Sequence, residues 1–271
     1  MHSGERGSGN LKMFGALLRF FRERAGMTQD GLGAYVKYSK SQVAMVERGE
    51  RSPKGQFVEI ADDVLGAQGA LLAAAKELKA ERFPSWFEEY AAEESQATAI
   101  HMYATHVVPG LLQSEAYARA IFNCQCCPPR EDEQVEARLA ARLERQRVLR
   151  RKPAPVVSFV LEEATLSRPL GGPKTLKEQL HHMLDVSRLC NVELQVMPHA
   201  RQTHAGLSGP MILLETVEHR QLAYLEGQGH GFFVTEQPDV GHLFGKYGIL
   251  RAQAMTPDES ADHIEQVARE L

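Results

Sequence analysis

A chain of 271 residues, 43% hydrophobic and 24% charged, is long for one core and comfortable for two. Its apolar runs, such as Val156 to Leu161, fall far short of a bilayer span, so no membrane segment is expected. The net charge of −4 hides an asymmetry: residues 11–55 hold nine Lys or Arg against four acidic residues, so a basic front module precedes an acidic body. Such a layout fits attraction to DNA from one end of the chain.

The first ten residues are polar and glycine-rich, without the apolar stretch of a signal peptide. They are expected to form a disordered tail (1–10), and the protein to be cytoplasmic and nucleoid-associated. Leu11, Phe14, Leu17, Leu18 and Phe21 then mark one face of a helix over 11–25, with Gly26 as its stop. Thr28 is an N-cap for a second helix whose inner face is Leu32 and Val36. Lys37-Tyr38 makes the turn, and Ser39 with Gln42 forms a capping box that starts a third helix at Lys40. Val43 and Val46 point inward and Gly49 ends it. A fourth helix starts at Pro53, burying Phe57, Ile60, Ala61 and Leu65, with Gly66 as its stop. A fifth runs from Gln68 to Arg82.

Two short helices joined by a tight turn are the layout that lays one helix in the major groove of DNA. On this reading Lys40, Ser41, Ala44 and Met45 face base edges: lysine donates to guanine, and Ala44 or Met45 touches a thymine methyl. Gln29 and Ser39 sit near phosphates, Gln42 divides its side chain between capping and contact, and Arg48, Arg51 and Lys54 reach flanking phosphates. The bland alternative is a helical bundle with a solvated basic face.

The segments M-T-Q-x-x-L from Met27 and S-x-S-x-V-x-x-V-E-R-G-x-R-x-P from Ser39 resemble the Xre/Cro/C1 repressor-like family. The resemblance implies an all-α five-helix DNA-binding domain (11–82) with the third helix as reader. It also implies an ion pair between Arg22 and Glu47. Lys37-Tyr38 departs from the Gly plus small or apolar residue usual in that family, which predicts an altered or strained turn.

Beyond it, Phe83-Pro84-Ser85-Trp86 reads as a boundary, and Trp86, Phe87 and Tyr90 start a helix anchoring a second domain. Residues 100–113 suggest a short strand before the Pro109-Gly110 turn. Helical periodicity returns over 114–122 and 131–151, with Val135, Leu139 and Leu143 as a narrow stripe, and the basic run 145–152 reads as a solvated face. Region 83–152 is thus expected as a helical connection. From 153 to 271 strands over 156–161, 192–197, 211–214, 222–226 and 231–234 surround a helix over 174–189. Thr256, Pro257 and Glu259 open a closing helix. The fold class expected is therefore multi-domain: the helical module followed by a mixed α/β (α+β) body.

Val108-Pro-Gly-Leu-Leu-Gln113, Tyr117-Ala118-Arg119, Arg138 with Arg142 and Gln146, Arg168-Pro-Leu-Gly-Gly172, His204-Ala-Gly-Leu-Ser-Gly-Pro210 and Tyr224-Leu-Glu226 resemble the C-terminal domain of WhiJ-like regulators. That group, also called Scr1-like or antitoxin-like, is abundant in filamentous actinobacteria. The resemblance implies a transcriptional regulator, often encoded beside a small partner protein.

Other chemistry is thinly represented. Cys124, Cys126 and Cys127 form C-x-C-C rather than C-x-x-C, and Cys190 is distant, so free thiols and no metal or cofactor are expected. His199, His204, Glu162, Glu163, Arg168 and Glu226 are candidates for catalysis, but no nucleophile elbow, H-E-x-x-H or phosphate-cradling loop accompanies them. His181-His182 has no i+4 partner. No catalytic residue is assigned; Arg168, His204 and Glu226 are instead candidates for a small-molecule effector pocket. The expectation is a homodimeric, sequence-specific DNA-binding regulator, a repressor, on a pseudo-palindromic operator. Its alternatives are an antitoxin-like protein that neutralises a small partner and autoregulates its operon, and an enzyme localised by its helix-turn-helix.

Overall fold

The structure is a computed structural model that describes residues 9–53, 56–76, 85–124 and 131–271. The chain divides into two compact units, unit 1 before residue 83 and unit 2 from there on. The amino-terminal tail 1–8, Lys54, residues 77–82 of the expected fifth helix, Cys126 and Cys127 lie outside the described residues, as does the side chain of Trp86.

Unit 1 contains α1 (Gly9–Arg24), α2 (Gln29–Val36), α3 (Lys40–Glu47), α4 (Phe57–Val64) and α5 (Ala70–Lys76). The caps are those the residues call for. Thr28 Oγ1 accepts from Gly31 N–H at 3.0 Å, and Ser39 and Gln42 form the reciprocal box that opens α3. Phe14, Leu18 and Phe21 of α1 meet Leu32, Val36, Val43, Val46, Phe57, Ala61 and Leu71 in one core. The fourth helix begins at Phe57 rather than at Pro53. Asp62, which had no assigned part, is buried, and its carboxylate accepts from the N–H groups of Gly69 and Leu71 at 2.7 and 2.9 Å. It thereby satisfies amides at the start of α5 that the helix itself leaves unpaired.

Unit 2 runs α6 (Ser85–Gln96), β1 (Ala99–Ala104), a 3-10 turn at Gly110–Leu112, α7 (Glu115–Cys124) and α8 (Asp132–Arg145). A 3-10 segment, Gln146–Arg150, leads to β2 (Val156–Glu162), α9 (Ala164–Ser167), α10 (Pro173–Ser187) and β3 (Val192–Met197). Then come β4 (Met211–Glu215), β5 (Gln221–Gly227), β6 (His230–Val234), α11 (Asp239–Gln253) and α12 (Pro257–Glu270). The strands form a mixed sheet in the order β3-β2-β1-β4-β5-β6, parallel on the β1 to β3 side and antiparallel from β1 through β6. Within residues 83–152, expected as a helical connection, the short strand read over 100–113 is β1, and it lies inside the sheet rather than apart from it. A hydrophobic strand there is buried on both faces because helices pack on each. Met102, Phe159, Leu161, Val196, Leu222 and Tyr224 face one core, with α10 and α12. Tyr103, Val160, Met197, Leu213 and Ala223 face the other, against Val240, Tyr247 and Leu250 of α11. Helix α11 was not foreseen. Gly241, Gly245 and Gly248 lie within it, and each glycine costs a helix about 1 kcal/mol relative to alanine. Burial of its apolar face against the sheet offsets that propensity.

The basic run after residue 144 is a solvated face only in part: Arg147, Arg150 and Lys152 are exposed, but Arg145 is not. Arg145 lies against fully buried Glu94, Nε to Oε1 2.6 Å, with its guanidinium over the Phe87 ring. Val148 and Leu149 are buried beside it. Tyr90 donates its hydroxyl to the same carboxylate. Burial pushes the Glu94 carboxyl up, while Arg145 and the Tyr90 hydrogen bond pull it back. The Val108–Gln113 stretch is held by amide side chains. Gln146 donates to the Gly110 and Gln113 carbonyls at 2.9 and 2.7 Å, Gln113 to the Val108 carbonyl at 2.7 Å, and Gln179 to the Leu112 carbonyl at 2.6 Å. Glu94→Gln keeps the shape of the side chain but takes from Arg145 the buried carboxylate it pairs with. We expect unit 2 to lose about 3–5 kcal/mol, read from its denaturant midpoint, with the unit 1 transition unmoved.

Candidate nucleic-acid interface

Any reader helix must be held rigidly by groups that do not themselves touch DNA. In unit 1 that role falls to Glu47, near the end of α3. Arg22 of α1 donates to both of its oxygens, through Nε to Oε1 and through Nη2 to Oε2 at 3.2 Å. Gln29 of α2 donates to Oε2 at 2.8 Å. Arg22 also reaches the Met27 carbonyl at 2.8 Å, pinning the α1–α2 turn. Both Arg22 and Glu47 are buried, and the hydrogen bonds that Arg22 donates to Glu47 raise its guanidinium further above its ordinary range. The pair implied by the family resemblance is therefore present, with Gln29 as a third member. Gln29 was expected near phosphates; its amide instead serves the scaffold.

Two glycines with no assigned part set the close approaches. A Cβ on Gly15 would sit 2.4 Å from the Glu47 carbonyl oxygen, so α1 and α3 approach backbone to backbone. A Cβ on Gly33 would sit 2.4 Å from the Tyr38 carbonyl oxygen. That clearance lets the turn close although Lys37, at φ 58, holds the left-handed conformation that usually falls to glycine. Glycine inside a helical pattern was the available signal for both.

With Val43, Val46 and Glu47 buried, α3 turns Lys40 and Ser41 to solvent, while Ala44 and Met45 are half-buried beside them. Ser39 is exposed and engaged in the cap and with Ser41 Oγ at 2.9 Å. Gln42 Oε1 accepts from the Ser39 N–H at 2.8 Å, leaving only its NH2 end for other contacts. Arg48 is paired on the surface: Nε and Nη2 donate to the two oxygens of Glu50 at 2.8 and 2.7 Å. Arg51 lies over the Tyr38 ring, 5.6 Å from its centroid. Arg19 pairs with Glu23 at 2.7 Å. Lys37 and Lys40 are exposed and form no ion pair among the described residues. The surface that can meet a duplex is thus narrower in charge than the residue count suggests.

In unit 2 the three effector-pocket candidates are not brought together. His204 Nε2 approaches Glu162 Oε1 at 3.5 Å, beside Tyr103, which donates its hydroxyl to the same carboxylate. Tyr103 belongs to the α11 side of the sheet. Glu226 follows Leu222 and Tyr224 in period two, on the opposite side, and is exposed, as is Arg168. Adjacent Glu163 accepts from the His199 backbone N–H at 2.6 Å and lies 3.1 Å from both His199 Nδ1 and His263 Nε2. Burial pushes the Glu163 carboxyl up, but the His199 hydrogen bonds and the nearby His263 outweigh it, so the group sits below the ordinary carboxylate range. These contacts tie the segment after β3, and α12, to the end of β2. Cys124 and Cys190 are exposed, and among the described residues no cluster of His, Cys, Asp or Glu is arranged to hold a metal. Among them, too, no helix is long and apolar enough to cross a membrane.

Two families match this chain. One is described as a helix-turn-helix domain and matches residues 13–75; the other, described as a domain of unknown function (DUF5753), matches residues 87–266. No curated protein and no solved structure matches.

Glu47→Ala strands a buried guanidinium and a glutamine amide. Unit 1 should lose about 3–5 kcal/mol in a denaturant melt, and an unchanged midpoint would contradict the lock. For Glu163, a lowered carboxyl contributes stability that is fully present above its ordinary value near 4.5 and is lost as pH falls through the lowered value. Glu163→Gln should therefore flatten the acid limb of the unit 2 melting profile relative to the native chain.

Proposed function

The chain belongs to the DUF5753 family and carries its helix-turn-helix in front of that domain, and from this premise we propose that it is a sequence-specific transcriptional regulator that binds double-stranded DNA. We take it to be a repressor of the Xre/Cro/C1 kind with a WhiJ-like C-terminal body, acting in the cytoplasm on the nucleoid. The observation that carries the reading is the outer face of α3. Lys40 and Ser41 project from a helix whose inner residues are buried and whose end is locked by Glu47. Lys40 is the group we assign to guanine acceptors, and Ala44 and Met45 to thymine methyls. Ser39, at the N-terminus of α3, lies where backbone amides favour a phosphate.

A single reader helix covers few base pairs, so the protein acts as a homodimer. Its half-sites lie about one helical turn, ~10 bp, apart. Unit 2 is assigned a binding role, for an effector or a small protein encoded nearby, rather than catalysis. Its ionisable clusters at the ends of β1 and β2 are spent on one another: Tyr103 and His204 on Glu162, His199 and His263 on Glu163.

The test is selection of bound duplexes from a random pool by the full chain, followed by titration of the enriched sequence. An enriched, pseudo-palindromic motif is expected. Lys40→Ala should weaken binding by about 1–3 kcal/mol or relax one position of the motif. Recovery of no motif at low ionic strength would overturn the reading, and an unchanged motif with unchanged affinity would remove Lys40 from the base-reading set.

A further inference from the structure

Sheet edges need cover, because each exposes unpaired backbone N–H and C=O groups. The β3 edge has it: Val196 N–H donates to Ser260 Oγ, and its carbonyl accepts from Met255 N–H, both at 2.9 Å. The β6 edge, although α6 packs beside that strand, has no such hydrogen bonds among the described residues. Among the described residues, the backbone of residues 230–234 makes no hydrogen bond beyond the β5 ladder.

Which groups face outward follows from the hairpin. Gln228-Gly229 is a two-residue turn, with Gly229 at φ 75, so the flanking pair Gly227–His230 is a hydrogen-bonded one. Alternation then turns the groups of His230, Phe232 and Val234 to β5, and those of Gly231 and Phe233 away from it. The side chains alternate too. Phe233 packs on Tyr224, ring centroids 5.2 Å apart, and a Cβ on Gly231 would overlap the Tyr224 hydroxyl. Phe232, opposite Leu225, points to the other side and is 60% exposed. From Gly229 to Val234 the strand has no Lys, Arg, Asp, Glu or Pro to discourage pairing.

We propose that β6 pairs antiparallel with β6 of a second copy of this chain, about a two-fold axis through Phe232. Gly231 of each copy then stands opposite Phe233 of the other, and both pairs exchange N–H···O=C bonds. Phe232 meets Phe232 of the second copy in the close, non-hydrogen-bonded pair, with Cα atoms about 4.5 Å apart. Any extended strand could satisfy the amides. Only self-pairing also lays the exposed ring against an identical one, and the uncharged strand brings no like charges together. The inference deepens the DNA-binding reading and rests on its need for two reader helices.

The experiment is sedimentation of the full chain with three variants. The native chain should be a dimer, and Phe232→Lys, which sets two lysines face to face, should weaken self-association roughly tenfold or more with its melting temperature kept. Phe232→Cys should give a disulfide-linked dimer on mild oxidation, since the opposed positions fall within the span a disulfide bridges. His230→Cys, which faces Val234 of the second copy, and the native chain with its own cysteines should not. A monomeric native chain, a Phe232→Lys dimer as tight as the native one, or Phe232→Cys crosslinking no better than His230→Cys overturns the inference. If such a chain still selects its operator, the DNA-binding reading survives with another interface. If the β6 dimer forms and no duplex is preferred, that reading fails and the interface stands.

Discussion

One carboxylate holds the DNA-binding unit in register. Glu47 of α3 takes hydrogen bonds from Arg22 of α1 and Gln29 of α2, so three helices converge on two oxygen atoms inside the protein. A buried charge is costly unless it is paired and its remaining lone pairs are filled, and here both conditions are met. Gly15 adds the other half of the constraint, because its missing side chain lets α1 lie directly on the end of α3. The direction of the reader surface, and with it whatever Lys40 and Ser41 meet, follows from these contacts rather than from α3 itself. A helix of this length would not persist alone in water.

Unit 2 uses buried polar groups in the same way but for a different end. Glu94 joins α6 to α8 through Arg145, and glutamines 113, 146 and 179 clamp the Val108–Gln113 stretch by its carbonyls. Glu162 and Glu163 gather histidines at the end of β2. Charged and amide side chains that would suggest chemistry in a linear sequence thus act here as fasteners between elements.

The unit 1 helices were legible because each carries local instructions: Thr28 and Ser39 as caps, Gly26, Gly49 and Gly66 as stops, and apolar residues at helical spacing between them. The five later strands were legible from their β-branched and aromatic runs. Much of the remaining detail depends on partners distant in sequence. Helix α11 was hidden by its glycines, and the effector-pocket trio by a period-two alternation that sends Glu226 and Tyr103 to opposite faces. Arg48 pairs with Glu50 and Gln29 with Glu47, engagements that residue type and spacing alone do not show.

Caps, stops and hydrophobic period act over a few residues, so by itself the chain determined where most helices and strands form, and that a helix-turn-helix precedes a mixed α/β body. Which charges are neutralised, which side of the sheet each polar group occupies and which edge stays open were decided only in three dimensions. Those properties depend on pairings across tens of residues, such as Arg22 with Glu47 or Arg145 with Glu94, that form only when the elements pack.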